Sequence, residues 1–218
     1  MIYLPSKQPE DWKQFLVEPD KQWKDGYSAK TLAVTWQNAS GLPHKVRQVL
    51  ESYSGKVFSK IEMLLGIPEY KVSLPGGGRA SQNDLFVLAR TEASLLSIMV
   101  EGKVFESFGP LVENWKVNMS SGKKERLGYL CNLLALDENS VDRLRYQLLH
   151  RSASAIITAK QFHCNAGLVL VHSFNDSDKS FNDYEAFLNV YGLRAKVDEV
   201  VGPIILSGIP MYWAWVKG

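Results

Sequence analysis

The sequence predicts a mixed α/β domain in which one sheet lies between layers of helices. Segments with helical spacing of apolar residues alternate with shorter, β-branched or aromatic runs typical of strands, in the order helix, three strands, two helices, strand, helix, strands. Of the 218 residues, 45% are hydrophobic and 22% are charged, so one sizeable core can be buried. No repeat or linker is apparent, and we expect a single domain over residues 1–218.

Each predicted element follows from its own pattern. Residues 1–40 have no clean period, and an irregular arm with short elements is expected there. Apolar residues from Val46 to Leu65 recur at steps of three and four, which predicts one amphipathic helix ended by Gly66 and Pro68. Later segments predict a short strand from 70 into a glycine turn at 75–78, strands at 83–90 and 95–104, helices at 123–136 and 141–162, a strand at 167–174, a helix at 182–192, and two terminal strands within 203–216.

The composition excludes several classes of protein. No apolar run reaches the roughly 18 residues of a membrane span, and the start of the chain lacks the basic and apolar regions of a signal peptide, so a soluble cytoplasmic protein is expected. Cys131 and Cys164 lack a CxxC partner and the four histidines lack metal-ligand spacing, which argues against a disulfide framework or a structural zinc site. A net charge of +2 is too small to attract nucleic acid through the overall field, so any contact with a polyanion must be local.

Two charged residues interrupt an otherwise apolar strand in the stretch SIMVEGKV, residues 97–104. If residues 91–94 form a symmetric four-residue turn, Arg90 opposes Leu95, and the same register sets Asp84 opposite Glu101. Opposed side chains of antiparallel strands have Cβ atoms about 4.5–5.5 Å apart, close enough for both carboxylates to reach one ion. Because side chains alternate along a strand, four polar residues share this face: Gln82, Asp84, Glu101 and Lys103.

A divalent cation would compensate the repulsion between these two carboxylates. Magnesium often uses only one or two carboxylates together with waters and substrate phosphate, and we expect Asp84 and Glu101 to be the ligands of Mg²⁺ or Mn²⁺. Lys103 could orient a water and stabilise charge in the transition state. The alternative is a structural ion pair of Lys103 with one of the carboxylates, because a Glu-x-Lys also occurs by chance; a second one at 69–71 is interpreted as such an occurrence.

At these residues the chain resembles the PD-(D/E)xK nuclease superfamily, the restriction-endonuclease-like proteins. Asp84 matches the aspartate of the superfamily's strand, and Glu101-Gly102-Lys103 matches its (D/E)xK motif. The chain is also similar to an uncharacterised bacterial group within that superfamily that carries LPGGGRASQND, VEGKV and LRYQLLHR. The resemblance covers roughly residues 43–175.

The resemblance implies an αβββαβ core, preceded by an arm at 1–42 and followed by a helix and strands at 176–218. It also implies magnesium-dependent hydrolysis of nucleic-acid phosphodiesters, with DNA favoured over RNA as the substrate. Asn83 stands where the superfamily has its proline. The helical acidic residue that often helps to bind metal has no clear counterpart, since Glu51 and Glu62 on the predicted first helix fit a solvated surface equally well.

The long predicted helix carries a polar stripe: Arg143, Gln147, His150, Arg151, Ser154 and Thr158 recur at steps of three and four. In the superfamily this helix packs beside the Glu-x-Lys strand. We therefore predict that Gln147, His150 and Arg151, together with Gln82, contact the substrate phosphate or a water. The alternative is that these residues form an ordinary solvated face or only structural contacts.

Three further features favour ordinary structural explanations. The PGGG segment at 75–78 lacks a phosphate-loop pattern and indicates a turn. The basic residues between Lys116 and Arg126 could follow a phosphate backbone, but a solvated charge run is the more common case. Trp213 and Trp215, on one side of a predicted strand, favour core packing over base stacking.

The sequence therefore predicts a metal-dependent nuclease that acts on nucleic acid. One alternative is a non-catalytic module with the same fold that binds nucleic acid or protein and uses the polar pocket structurally. Another is an enzyme acting on a different phosphorylated substrate. Titration with Mg²⁺ or Mn²⁺ separates the first two hypotheses, and a panel of phosphorylated small molecules tested against DNA and RNA separates the nuclease from the third.

Overall fold

A six-stranded mixed sheet runs through the molecule and carries helices on both faces. The computed structural model describes residues 6–175 and 179–218. Residues 1–5 lie outside the described residues; they include the start of the predicted arm and of the segment that lacks signal-peptide character. Residues 176–178, at the start of the predicted C-terminal region, also lie outside them. The predicted mixed α/β class is confirmed.

The helices and strands have the following bounds. The strands are β1 (Glu62–Val72), β2 (Ser81–Arg90), β3 (Leu95–Lys103), β4 (Ala166–Ser173), β5 (Glu199–Leu206) and β6 (Ile209–Lys217). The α-helices are α1 (Pro19–Gln22), α2 (Ser28–Asn38), α3 (His44–Glu51), α4 (Val112–Trp115), α5 (Ser121–Leu134), α6 (Tyr146–Gln161) and α7 (Lys179–Asn189). Short 3₁₀ helices occupy Pro9–Phe15 and Lys56–Phe58.

The strand order is β1-β2-β3-β4-β6-β5. Neighbouring strands from β1 to β3 are antiparallel, β3, β4 and β6 are mutually parallel, and β5 is antiparallel to β6. The parallel step from β3 to β4 needs a crossover, and α6 is its last helix. Apolar residues of α5, α6 and α7 pack on one face of the sheet, and those of α2 and α3 pack on the other.

The hairpin of β2 and β3 has the predicted register. Residues 91–94 form its turn, Arg90 pairs with Leu95, and the ladder continues to Leu85 opposite Val100. The predicted alternation is also confirmed, because Phe86 and Met99 join the core under α6 while Leu85 and Val100 join the opposite core. The next residues on the two strands are Asp84 and Glu101.

The predicted first helix is too long. Helix α3 ends at Glu51, and the chain from Glu62 onward forms β1. The serines and Gly55 that follow α3 favour turns over helix. The pairing of β1 with β2 shifts register between Met63 and Leu65, which breaks the period of two and gives this part of the strand a helix-like spacing.

The start of α6 and the N-terminal region also differ from prediction. Helix α6 begins at Tyr146 and not near residue 141, because Arg145 is extended and bridges to Leu111. Arg143 therefore lies before the helix, exposed and outside the polar stripe. The predicted irregular arm contains α2, whose Leu32 and Trp36 are buried against the sheet.

Candidate active site

A cavity of about 500 Å³ opens where the start of β2, the end of β3 and the first two turns of α6 meet. All seven residues that the sequence predicted for the site line it: Gln82, Asp84, Glu101, Lys103, Gln147, His150 and Arg151. The stripe of α6 thus faces the strand that bears Lys103, as predicted. The loop after β3 closes another side of the cavity through Glu106 and Phe108, and Lys103 Nζ lies 4.5 Å from the centre of the Phe108 ring.

Glu101 is the most strongly bound carboxylate in the cavity. Its Oε1 accepts hydrogen bonds from Lys103 Nζ at 2.6 Å and Gln147 Nε2 at 2.7 Å, and its Oε2 accepts one from Arg151 Nε at 2.5 Å. The side chains of Glu101, Lys103 and Arg151 are all buried. Burial by itself raises the pKa of Glu101, but the charges of Arg151 and Lys103 outweigh it and lower this pKa to about 2.

Asp84 is less well compensated than Glu101. Its Oδ2 accepts the backbone N–H of Gly102 at 2.9 Å, while Arg151 Nη2 reaches Oδ1 only at 3.4 Å. Arg151 Nη1 also donates to the backbone carbonyl of Gln82. Burial and the charge of Glu101 raise the pKa of Asp84 to about 6, against the opposing effects of Arg151 and Lys103.

Glu69 is a site residue that sequence reasoning missed. Pro68 pairs with Leu85 and Tyr70 with Asn83, so Glu69 lies beside Asp84 on the neighbouring strand and lines the same cavity. Gln82 Nε2 donates to Glu69 Oε2 at 2.7 Å. Burial, together with repulsion from Asp84, raises the pKa of Glu69 to about 8.

The error came from the predicted helix that ended at Pro68. If residues 62–72 are assigned to a strand that pairs with β2, the Glu-x-Lys at 69–71 lies next to Asp84. The strand pattern of residues 62–72 is therefore the feature of the sequence from which Glu69 could have been predicted. Neither acidic residue of the predicted first helix, Glu51 or Glu62, lines the cavity. Glu62 is exposed and pairs with Arg90 at 2.8 Å.

His150 is held in place by two serine hydroxyls. Its Nδ1 lies 2.8 Å from Ser81 Oγ, and Ser154 Oγ lies 2.9 Å from Ser81 Oγ and donates to the His150 carbonyl at 2.7 Å. Burial and the neighbouring charge of Arg151 lower the pKa of His150 well below its usual value. The imidazole is therefore neutral. Its Nδ1 is bonded to Ser81, so Nε2 can offer the cavity either a donor or an acceptor, depending on the tautomer.

A family model described as a domain of unknown function (DUF6946) matches residues 5–218, nearly the whole chain. The chain belongs to the DUF6946 family. No curated protein and no solved structure matches it. The family description assigns no activity to this DUF6946 domain.

Metal-binding capacity in this DUF6946 domain is limited to few protein ligands. Over residues 6–175 and 179–218, no group of three or more His, Cys, Asp and Glu side chains could hold a metal ion. Two carboxylates, Asp84 and Glu101, remain as the pair that could bind one cation with water or substrate completing its shell. Glu69 adds a carboxylate on the same cavity wall.

Three residues of the basic run and the two C-terminal tryptophans have structural contacts in this DUF6946 domain. Lys116 pairs with Asp142, Lys123 donates to two backbone carbonyls, and Arg126 donates to carbonyls of the segment 74–77. Trp213 and Trp215 are buried in the core, as favoured. No helix within the described ranges has the length and apolar character needed to cross a membrane.

Proposed function

We propose that this protein is a metal-dependent nuclease that hydrolyses phosphodiester bonds in nucleic acid, DNA in preference to RNA. The observation that carries the proposal is the cavity in which Asp84, Glu101 and Lys103 converge from two paired strands, with Arg151 of α6 bridging the two carboxylates. Desolvated carboxylates beside an ammonium form a donor set suited to a divalent cation and a phosphate.

The order of elements supports the proposal. Helix α3 is followed by three antiparallel strands, by α6 and by a strand parallel to the third, with Asp84 on the second strand and Glu101 and Lys103 on the third. The resemblance to PD-(D/E)xK nucleases implies this order and these positions. The described α-helices and strands outside this set are α1 and α2 before it, α4 and α5 within the crossover, and α7, β5 and β6 after it.

The residues present fit Mg²⁺ or Mn²⁺ as the cofactor. Asp84, whose pKa is raised to about 6, has too little positive charge near it to balance its ionised form. Glu69 beside it has even less, and its pKa is raised further, to about 8. Each carboxylate oxygen can accept two interactions. Oε1 of Glu101 already accepts from Lys103 and Gln147, but among the described residues Oε2 accepts only from Arg151 and can still contribute to a cation site with Asp84. When bound, the ion would polarise a phosphoryl oxygen and make nearby water more acidic.

The protein groups would position the reactants and stabilise charge. Lys103 Nζ is held between Glu101 and Gln147 Oε1, at 2.6 and 3.3 Å, and can direct a further N–H toward a water or a phosphoryl oxygen in the cavity. Gln147 Nε2 and Arg151 fix the orientation of Glu101. Neutral His150 can exchange hydrogen bonds with the substrate without adding positive charge.

Cleavage assays with the purified chain test the proposal directly. Single- and double-stranded DNA and RNA are incubated with Mn²⁺ or Mg²⁺, and with EDTA as the metal-free reference. We expect metal-dependent cleavage by the wild type and a loss of at least about 100-fold in Asp84→Asn and Lys103→Met. Glu62→Gln is the matched control, because Glu62 is an exposed strand carboxylate paired with Arg90 at the far end of β1, and it should cleave normally. Wild-type protein that leaves all four nucleic acids intact would contradict the proposal.

A non-catalytic binding module is the second candidate. The observation in its favour is that Glu101 already accepts bonds from two buried cations, which is the arrangement of a structural ion-pair network. Thermal melts of wild type and Asp84→Asn, each with and without Mn²⁺, separate the two. The nuclease predicts a Mn²⁺-dependent rise in wild type alone and an unliganded Asp84→Asn at least as stable as wild type. A strongly destabilised variant, with no effect of Mn²⁺ on wild type, would favour the binding module.

A further inference from the structure

A second cavity, of about 670 Å³, adjoins the one that contains Asp84 and Glu101. The two cavities share Val17 and Gln82 as lining residues, so one groove is continuous across them. Lys71 of β1 lies in the second cavity and is directly paired with Gln82 of β2. The Glu-x-Lys at 69–71 therefore spans both, with Glu69 in the first cavity and Lys71 in the second.

The second cavity presents two cations, Lys71 and Arg79, whose charges are uncompensated. Both residues are exposed, and neither forms an ion pair or a side-chain hydrogen bond with any residue in the described part of the chain. The acidic residue on the same wall is Glu18, whose carboxylate is bound by Lys21 at 2.7 Å. The groove thus changes from carboxylates at the proposed reaction centre to cations beyond Gln82.

The loop that carries Arg79 is fixed by packing against α5. Arg126 of α5 donates hydrogen bonds to the backbone carbonyls of Leu74, Pro75 and Gly77. The guanidinium therefore neutralises the negative ends of these peptide dipoles. Gly76 has a φ of +75°, and a Cβ built there would lie 2.0 Å from the carbonyl oxygen of Gly122. These contacts hold residues 74–77, and Arg79, which follows them in the same loop, lines the second cavity.

We infer that the second cavity binds a phosphate of the substrate chain adjacent to the one that is cleaved. Lys71 can attract a phosphodiester anion as a point charge, and Arg79 can donate two parallel hydrogen bonds to it from its planar guanidinium. The inference rests on the proposed function, and it specifies the substrate as a chain with at least two phosphodiesters, bound on both sides of Gln82. A small diester would occupy only the first cavity.

The test compares a chain substrate with a small one. Lys71→Ala/Arg79→Ala is measured against wild type and against Lys160→Ala/Arg194→Ala, a control with the same change of charge at exposed positions that line neither cavity. Fluorescence anisotropy with short DNA and RNA oligonucleotides of one sequence, without metal and over a range of salt, gives affinity and its salt dependence. Hydrolysis of the oligonucleotides and of bis(p-nitrophenyl) phosphate with Mn²⁺ gives kcat and KM.

For the groove variant we expect the oligonucleotide Kd to rise about tenfold. The slope of log K against log salt should fall by about 0.7 to 0.9, because the contact with one phosphate is lost. The loss in kcat/KM should be carried by KM, and should be at least about fivefold larger for oligonucleotides than for bis(p-nitrophenyl) phosphate. Comparison of the Kd values for DNA and RNA oligonucleotides shows which nucleic acid the groove binds more tightly. The control variant should behave as wild type.

The outcomes separate the inference from the proposed function. Cleavage by wild type, with a groove variant that matches the control in affinity, salt slope and KM, overturns the phosphate subsite alone. Binding without any cleavage, lost in the groove variant, upholds phosphate binding in the second cavity and overturns the nuclease. If wild type neither binds oligonucleotides nor cleaves either substrate, both are overturned.

Discussion

The charges around Asp84 are unevenly balanced, and this imbalance is the main chemical property of the site. Arg151 and Lys103 both bind Glu101, at 2.5 and 2.6 Å, while Arg151 reaches Asp84 only at 3.4 Å. Glu69 accepts its hydrogen bond from the neutral amide of Gln82. Ionising Asp84 and Glu69 therefore costs free energy unless a cation enters the cavity.

Glu69→Gln should remove a pH dependence of stability. The pKa of Glu69 in the folded protein is about 8, against 4.5 ordinarily. Because the folded value is the higher one, its contribution to the free energy of unfolding is fully present below about pH 4.5 and is lost as the pH rises through about 8. Metal-free wild type should become less stable between pH 5 and pH 8, whereas Glu69→Gln should lose roughly 1–2 kcal/mol less over this range.

Urea unfolding of both proteins at several pH values between 5 and 8, with EDTA present, measures this difference. Glu62→Gln is again the control, since Glu62 is an exposed carboxylate on the same strand. Parallel pH profiles for wild type and Glu69→Gln would show that Glu69 is ionised at no cost and would remove the argument for unbalanced charge beside Asp84.

At the scale of elements, the loop between β1 and β2 depends on a close approach to α5. Gly76 and Gly122 are in mutual contact, because a Cβ on either one would lie within 2.3 Å of the other's carbonyl oxygen. The PGGG segment is thus a turn, as favoured by its sequence, and Gly76 is the glycine that its packing on α5 requires. Arg79, three residues after Gly76 in this loop, lines the second cavity.

Gly76→Ala should destabilise the protein, and Gly78→Ala should not. Gly76 combines a left-handed φ with a clash against Gly122, so we expect a loss of roughly 2–4 kcal/mol in the free energy of unfolding. Gly78, two residues along the same loop, has open space around its Cα, and its substitution should change stability by less than about 0.5 kcal/mol. Equal denaturation midpoints for the two variants in urea would contradict the close packing of this loop on α5.

At the scale of the whole molecule, the N-terminal helices belong to the domain. Trp36 of α2 is fully buried, and its Nε1 donates to Nδ1 of the buried His172 on β4 at 3.1 Å. The start of α2 is also fixed near the cavity, because the Ser28 N–H donates to Glu106 at 2.9 Å. The region predicted as an arm therefore covers one face of the sheet.

Trp36→Phe should lower the free energy of unfolding by about 2 kcal/mol. The change keeps an aromatic ring but removes the N–H that satisfies His172 Nδ1, and it leaves a small void in a packed core. Val34→Ala, on the exposed side of α2, is the control and should be nearly neutral. If the two variants melt at the same temperature, α2 is docked more loosely than its burial indicates.

By itself the sequence determined the α/β class, most strand positions and the register of the β2–β3 hairpin. Local rules were sufficient there, because the turn at 91–94 and the two-residue alternation of side chains fix which residues face each other. The same rules brought Asp84, Glu101 and Lys103 to one face. Helical spacing put Gln147, His150 and Arg151 on one stripe, and the resemblance implied that this stripe lies beside the same cavity.

Only the tertiary structure decided how the charges of the site are shared. The pairing of β1 with β2 placed Glu69 beside Asp84, although a register shift in β1 gives it a helix-like spacing. Arg151, 50 residues from Glu101 in the chain, lies closer to Glu101 than to Asp84. Contacts between distant segments depend on how the sheet and α6 pack together, and this packing has no period that a single sequence displays.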